Sequence, residues 1–420
     1  MEHPLALRAL AQFDDLFPLD APEAPTPGNI VDQISSFAGF GSRTERVVES
    51  GIPYLVNEFW TSGQRKAHSI HEVSYRACFK PQLPEFFIGR ATKVGDTVLD
   101  PFMGRGTTPV QSALMGRRPV GNDVNPLSQL LTRPRLRVPT LAAVSAALHS
   151  IDWTAKANVR EDLLAFYHPE TLRQICVLRE HLLRHAPLDN QRPDPIWDWI
   201  RMVAINRLTG HSNGFFSVYS LPPNQAVSVA SQLKINEKRN QTPVERNISN
   251  LIIKKTRSLL RDGAPVNLDD LDLLCGQADH LPTIADGSVA LTVTSPPFLD
   301  VVQYADDNWL RCWFAGIDVA AISISMHKGE LAWRNMVRSV LTEQARVLKS
   351  NGLIAFEVGE VRNGKVLLER LVWEAAEGLP FERLGVMINQ QEFTKTANCW
   401  GIGNNNKGTN TNRIVLLERK

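Results

Sequence analysis

The chain has 420 residues, a formal net charge of +2 and 43% hydrophobic residues, so it can bury a large core with a substantial insertion. No apolar run reaches membrane-spanning length and no basic start precedes an apolar stretch, so we expect a soluble chain without a secretory signal. The cysteines form no CxxC pair, which indicates neither a zinc site nor a disulfide framework and fits a reducing cytoplasm. They are Cys78, Cys176, Cys275, Cys312 and Cys399.

Residues 1–51 are predicted to form an N-terminal arm. A short apolar-periodic stretch at residues 5–16 is followed by a proline-rich segment at residues 18–27. This composition is typical of a loosely attached segment. The alternative is that the arm packs over the functional site.

Residues 94–108 combine a strand, a glycine turn and the start of a helix. The strand is predicted at residues 94–99, after a helix whose apolar residues lie within residues 79–90. Asp100 stands at the carboxyl end of the strand, and Gly104 and Gly106 let the backbone turn sharply and approach a ligand. Thr107 and Thr108 then begin a helix. Open α/β sheets bind cofactors at such turns.

A second strand is predicted at residues 118–123, after a helix that ends at Gly116. Asp123 ends this strand 17 residues after Gly106. An acid at about this distance binds the ribose hydroxyls in Rossmann-like folds. The alternative for Asp123 is a helix cap before Pro126.

Residues 141–265 read as an insertion of helices, predicted at residues 141–151, 161–166, 171–183 and 197–208. Between residues 234 and 261 there are eight basic and two acidic side chains. Such a run contacts nucleic-acid phosphates or is a solvated helix face. The candidates for phosphate contact are Lys234, Lys238, Arg239, Arg246, Lys254 and Lys255.

Residues 266–420 resume the sheet. A buried strand at residues 289–293 leads directly into Thr294-Ser295-Pro296-Pro297-Phe298. Consecutive prolines fix the backbone and remove two N–H donors, which leaves the preceding carbonyls free to accept other hydrogen bonds. A long helix is predicted at residues 326–348, strands at residues 353–358 and 414–417, and a polar loop at residues 404–413.

The two motifs together resemble those of the S-adenosylmethionine-dependent amino-methyltransferases of DNA. Asp-Pro-Phe-Met-Gly-Arg-Gly-Thr-Thr, at residues 100–108, resembles their cofactor motif, and Thr-Ser-Pro-Pro-Phe resembles their catalytic motif. Their order, with a long insertion between them, resembles the alpha-type arrangement. The resemblance implies an α/β fold: a Rossmann-like methyltransferase sheet with helices on both faces and a large, mainly helical insertion.

The resemblance also implies roles for individual residues. Asp279 would bind the adenine amino group of the cofactor, although a turn acid is an equal alternative. The implied cofactor-binding residues are Phe79, Lys80, Pro81, Asp100, Pro101, Phe102, Gly104, Gly106, Thr107, Thr108, Asp123, Asp279 and Thr294. The implied catalytic residues are Ser295, Pro296, Pro297 and Phe298.

Ser-Pro-Pro-aromatic is associated in this family with cytosine-N4 methylation, and Asp-Pro-Pro-aromatic with adenine-N6 methylation. We therefore expect a site-specific cytosine-N4 methyltransferase that acts on double-stranded DNA. It would use S-adenosylmethionine and no metal. We also expect it to belong to a restriction-modification system, in which a separate endonuclease is a possible partner. Adenine-N6 methylation, RNA methylation and a DNA-binding scaffold with an inactive core are the alternatives. Cytosine-C5 methylation is set aside, because its nucleophilic cysteine typically follows a proline and none of the five does.

Overall fold

The structure is a computed structural model. It describes residues 30–60, 67–76, 78–190, 192–221, 225–266, 268, 271–299, 304–319, 322, 329–361, 365–390 and 411–420. The predictions for residues 5–16 and 18–27, the start of the helix predicted at residue 326, and most of the loop at residues 404–413 lie outside these ranges.

Nine strands form one mixed sheet in the order β1-β2-β10-β11-β7-β6-β3-β4-β5. The strands are β1 Glu45–Glu49, β2 Ile52–Asn57, β3 Thr97–Asp100, β4 Arg118–Asp123, β5 Asp272–Cys275, β6 Val289–Thr294, β7 Leu348–Val358, β10 Phe381–Gln390 and β11 Thr411–Arg419, with a separate ribbon of β8 Glu360–Val361 and β9 Val366–Leu367. Strands β5, β4, β3, β6 and β7 are mutually parallel. The chain leaves β3 toward β4 and β5 and returns to β6 on the other side, which makes the β3–β6 junction a topological switch point.

Helices cover both faces of the sheet. On one face α1, Ile30–Ser35, and α2, Gln82–Ala91, bury Phe87 with Val98 of β3. On the other face α11, Glu330–Val347, and α12, Leu368–Ala375, bury Val337 with Phe356 of β7. Helix α3, Thr107–Leu114, connects β3 to β4. The observed arrangement confirms the predicted Rossmann-like α/β fold.

The connection from β4 to β5 carries the predicted helical insertion. Its helices are α4 Leu127–Thr132, α5 Leu141–His149, α6 Pro169–His185, α7 Pro195–Ile205, α8 Val229–Arg239 and α9 Ile248–Leu259. They share a buried apolar cluster with Val110 of α3 and Leu310 of α10, Tyr304–Ala315. None of the helices in the described ranges is both long and apolar enough to cross a membrane.

Several predicted boundaries are wrong. The predicted arm extends to residue 51, but Ile30 and Ile34 are buried and β1 pairs with β2, so residues 30–51 belong to the folded core. Strand β3 begins at Thr97, because the chain turns at Gly95 (φ +86°) and leaves Val94 exposed.

Two further predictions differ from the structure. Residues 161–166 were expected to be α-helical and instead form a 3-10 turn, Glu161–Ala165. The sheet was expected to resume at Val266, but Val266 is exposed and the next strand, β5, begins at Asp272.

Candidate active site

The glycine turn between β3 and α3 has the tight geometry that its sequence predicts. Gly104 and Gly106 adopt positive φ values of +50° and +77°. A Cβ atom at Gly106 would overlap the side chain of Thr132 in α4. The Gly106 N–H donates to the carbonyl of Met103 over 2.6 Å, which closes the turn. The turn therefore requires glycine at this position.

Asp123 ends β4 beside this turn, and its carboxylate is hydrogen-bonded to the backbone of the turn. One oxygen accepts the backbone N–H of Gly104 at 2.9 Å, and the other accepts that of Asn125 at 2.9 Å. Burial raises the pKa of the Asp123 carboxyl above its usual value, and these two hydrogen bonds oppose the rise. The carboxylate thus has a fixed orientation.

Asp100 ends β3 and joins the glycine turn to the catalytic motif. Its carboxylate accepts the Thr294 hydroxyl at 2.6 Å and the Phe102 N–H at 3.1 Å. It is 1% exposed, and burial raises its pKa to about 7 despite hydrogen bonds that favour the charged form. The strands that carry the two motifs are therefore linked by a buried side-chain hydrogen bond.

A cavity of about 490 Å³ opens at the carboxyl edge of the sheet beside these residues. Predicted residues on its wall are Phe79, Pro101, Phe102, Gly104, Thr107, Asp123, Asp279, Ser295 and Pro297. The cofactor motif and the catalytic motif therefore meet in one cavity. A cavity of this size is typical of small-molecule sites.

Other predicted residues lie off the cavity wall. Lys80 is exposed, and Pro81 is buried at the start of α2. Thr108 donates its hydroxyl to the Val293 carbonyl at 3.0 Å and so links α3 to β6. Asp100, Gly106 and Thr294 lie behind the wall and hold the turn and the motif in position.

Sequence reasoning missed part of the wall. Helix α11 contributes one face, and the segment before α2 contributes an aromatic ring and a thiol. The missed residues are Tyr75, Cys78, Met103, Val124, Asn125, Gly276, Gln277, Ala278, Ala332, Asn335, Met336, Ser339 and Val340. The α11 residues follow helical spacing, which the sequence shows, but only the fold indicates what that face covers.

The catalytic motif leaves β6 in an irregular conformation. Ser295 and Pro297 line the cavity, and Pro296 is buried. The Pro297 carbonyl accepts the indole N–H of Trp333 in α11 at 2.9 Å. Phe298 is half-buried and packs against the apolar cluster under α11.

A buried carboxylate that sequence reasoning missed contacts this motif. Glu357, on β7, is 7% exposed and accepts the amide N–H of Asn412 at 2.9 Å. Ser295 lies next to Glu357 across the β6–β7 pairing, because the residues before them, Thr294 and Phe356, pair directly. Burial raises the pKa of Glu357, and hydrogen bonding by Ser295 and Asn412 opposes the rise. The available signal was a lone acid in the apolar run of residues 353–358.

The candidate phosphate-binding residues of the insertion have different surroundings. Lys234, Lys238 and Lys254 are exposed. Arg239 stacks over the Tyr219 ring and Arg246 donates to Asn213 at 2.9 Å. Lys255 forms an ion pair with Glu72 at 3.0 Å, so its charge is already neutralised within the chain.

Within the described ranges, no group of three or more His, Cys, Asp or Glu side chains is arranged to hold a metal ion. The chemistry of the wall is instead that of an organic ligand: a glycine turn, an oriented carboxylate and apolar surfaces. The sheet order, the switch point and this cavity define an α/β protein of the Rossmann-like class.

Parts of the chain are similar to known DNA methyltransferases. Residues 45–128 match the family model described as "DNA methylase". The chain is 42% identical over 73 residues to the type II methyltransferase M.MjaII of Methanocaldococcus jannaschii, a match that covers 17% of this chain and 13% of that protein. It is 30% identical over 106 residues to the type II methyltransferase M.BsoBI of Geobacillus stearothermophilus, which covers 23% and 21%. Residues 45–128 are therefore similar to a DNA methylase family, and short segments of the chain are similar to type II methyltransferases.

These matches cover about a fifth or less of each relative's length. The solved structure of TrmN from Thermus thermophilus aligns with 82% of this chain and 50% of that chain, at 12% identity and a TM-score of 0.32.

Proposed function

We propose that this protein transfers a methyl group from S-adenosylmethionine to the exocyclic N4 amine of a flipped-out cytosine at a specific site in double-stranded DNA. The observation that carries the proposal is that Ser295 and Pro297 of the Ser-Pro-Pro-Phe motif line the same cavity as the glycine turn and Asp123. A base amine in contact with Ser295 would share one enclosed space with the cofactor.

The cavity fits the cofactor in shape and charge. The backbone at Gly104 leaves room for close approach, and the fixed carboxylate of Asp123 suits the ribose hydroxyls. Asp279, which is exposed on the cavity wall, suits the adenine amino group. Phe79 would cover the methionine end. Bound S-adenosylmethionine supplies an electrophilic methyl group.

The remaining chemistry belongs to the chain. The lone pair of an exocyclic amine is delocalised into the base ring, so the amine is a poor nucleophile. Ser295 Oγ and the Pro296 carbonyl would accept its N–H bonds and direct the lone pair toward the methyl group. Phe298 would stack on the base, which contributes about 1–3 kcal/mol. Positioning the two reactants supplies roughly 7–11 kcal/mol of the barrier reduction.

The base must leave the duplex to reach this cavity. We propose that the exposed basic residues of the insertion, Lys234, Lys238 and Lys254, contact phosphates and that neighbouring loops read the sequence. Residues 210–221 are the candidates for base contact through their exposed polar side chains, Ser212 and Asn213, since Phe215 and Phe216 are buried. A restriction-modification role is proposed because the similar proteins are type II methyltransferases.

Mass spectrometry of nucleosides tests the proposal. Duplex DNA of mixed sequence is incubated with the protein and S-adenosylmethionine carrying an isotopic methyl label, with Ser295→Ala as the control variant. We expect label in N4-methylcytosine, and at least 100-fold less with the variant. Label in N6-methyladenine would keep the reaction class and overturn the choice of base. Label in RNA alone would overturn the DNA substrate.

A further inference from the structure

Glu357 is a buried carboxylate on β7 that lies next to Ser295 of the catalytic motif. The register between the strands explains this placement. Thr294 of β6 pairs with Phe356 of β7, so the next residue on each strand, Ser295 and Glu357, project on the same side at the carboxyl edge. The contact is thus built into the sheet.

A second strand fixes the carboxylate from the other side. Ile414 of β11 pairs with Glu357, and Asn412, two residues away on the same face, donates to Glu357 Oε1 at 2.9 Å. The neighbouring Arg413 points to the opposite face, where it pairs with Glu369 at 2.7 Å. Among the described residues, the Glu357 carboxylate therefore has two uncharged neighbours that can donate to it, Asn412 and Ser295, and the Ser295 hydroxyl carries a transferable proton.

We propose, building on the proposed function, that Glu357 is the positioning residue and proton acceptor of the methyl-transfer site, acting through Ser295. Its carboxylate holds the Ser295 hydroxyl proton away from the cavity, so that Ser295 Oγ presents its lone pairs to the target amine. A hydroxyl whose proton pointed into the cavity would donate instead and compete with the amine.

The same pair accounts for the proton that the reaction releases. Methyl transfer would break the methyl–sulfur bond of S-adenosylmethionine, whose electron pair stays on sulfur, and form the nitrogen–carbon bond, which leaves the amine nitrogen with one proton too many. That proton passes to Ser295 Oγ while the Ser295 proton passes to Glu357. The serine is unchanged, Glu357 becomes neutral, and its proton returns to solvent through Ser295 once the product has left. No other co-reactant is needed.

Because Ser295 lies next to the buried Glu357 carboxylate, position 295 requires a neutral side chain. An aspartate there would place a second carboxylate against Glu357 in a buried site, and two such groups cannot both be ionised without a large cost. Ser295→Asp alone should therefore be poorly stable and inactive, whereas Ser295→Asp with Glu357→Gln should recover stability.

The first test is a double-mutant cycle in methyl transfer with the full chain. Glu357→Gln should lower kcat about 100-fold, in the range of proton-transfer catalysts, and leave KM for DNA and Kd for S-adenosylmethionine within threefold. In the Ser295→Ala background the same change should cause no further loss, because Glu357 acts through the serine. Glu369→Gln is the matched control for loss of a buried carboxylate near β11, and should leave kcat within a few-fold.

The outcomes separate this inference from the proposed function. Two results would overturn the inference and leave the proposed function intact. One is methylation by the Glu357→Gln variant at nearly the normal rate. The other is an equal fall in kcat from Glu357→Gln in the unaltered protein and in the Ser295→Ala background. If the unaltered protein methylates no nucleic acid, the proposed function fails. In that case the thermal stability of the Ser295→Asp variants still tests whether Ser295 and Glu357 contact each other. If Glu357→Gln does not restore the stability of the Ser295→Asp variant, that contact is refuted.

Discussion

Three carboxylates stand at the carboxyl edge of the sheet: Asp100 at the end of β3, Asp123 at the end of β4, and Glu357 on β7. Asp100 and Glu357 are buried, Asp123 is half-buried, and burial raises the pKa of each. Burial disfavours the charged form of a carboxyl group. A positively charged ligand in the adjoining cavity would relieve this cost, and the cofactor we propose carries such a charge on its sulfonium group.

The pKa of Asp100 makes the stability of the ligand-free protein depend on pH. Its folded-state pKa, about 7, lies above the unfolded value of 3.8, so the folded state binds more protons between these values. The free energy of unfolding should therefore fall as pH rises from about 4 to 7, by roughly 4 kcal/mol at most from this group. Asp100→Asn should remove this part of the fall.

Urea denaturation at pH 5 and pH 8 measures the effect. The variant should gain stability relative to the unaltered protein as pH rises. Thr294→Val provides a second check, since loss of its 2.6 Å hydrogen bond should raise the pKa of Asp100 further and move the fall to higher pH. Parallel pH profiles for Asp100→Asn and the unaltered protein would contradict the assignment.

Elements whose burial is set by local sequence were predicted well. Short apolar runs predict strands β4 and β6, and the glycine turn predicts the start of α3. Asp123 ends β4 and Ser295 directly follows β6, so their positions relative to these strands were also predicted. The β1–β2 hairpin was missed, because β2 is held by its pairing with β10, more than 320 residues away in the chain. Asn335 and Ser339 were missed for the same reason: only the tertiary fold brings α11 over the cavity. Long-range contacts of this kind override local propensity.

The glycine turn gives a prediction for one element. Gly106→Ala must accept both a positive φ and an overlap with Thr132, whereas Gly95→Ala, at φ +86°, meets open space. The Gly95 variant should lose about 1–2 kcal/mol from backbone strain alone. The Gly106 variant should lose about 1–3 kcal/mol more from overpacking, and should also bind S-adenosylmethionine more weakly. Denaturant titration and calorimetry measure the two effects, and equal losses of stability would show that the overlap is relieved.

At the scale of the whole molecule, the insertion and the catalytic half are joined through α10. The Ala226 N–H donates to the Asp307 carbonyl at 3.0 Å, and Arg179 donates to the Trp313 carbonyl at 2.8 Å. Arg76, which precedes α2, pairs with the Asp307 carboxylate at 2.7 Å. One buried cluster runs through the insertion and α10. Contacts made by the insertion can therefore fix a duplex relative to Ser295.

This arrangement predicts which cations bind DNA. Lys234 and Lys238 are exposed on α8, while Lys255 on α9 is paired with Glu72 at 3.0 Å. Each phosphate contact contributes about 0.9 to the slope of log affinity against log salt concentration. Replacing both Lys234 and Lys238 by alanine should weaken binding to any duplex and reduce that slope by about 2.

Fluorescence anisotropy of a labelled duplex over a range of salt concentrations measures the slope, and Lys255→Ala is the matched control. Removing the Lys255 charge should leave the slope unchanged, because Glu72 rather than a phosphate is its partner. A slope that falls equally for Lys255→Ala would mean that DNA displaces Glu72 from this pair. An unchanged slope for the α8 double variant would place the phosphate contacts elsewhere. Since the net charge of the chain is only +2, the result distinguishes a local basic surface from a general electrostatic attraction.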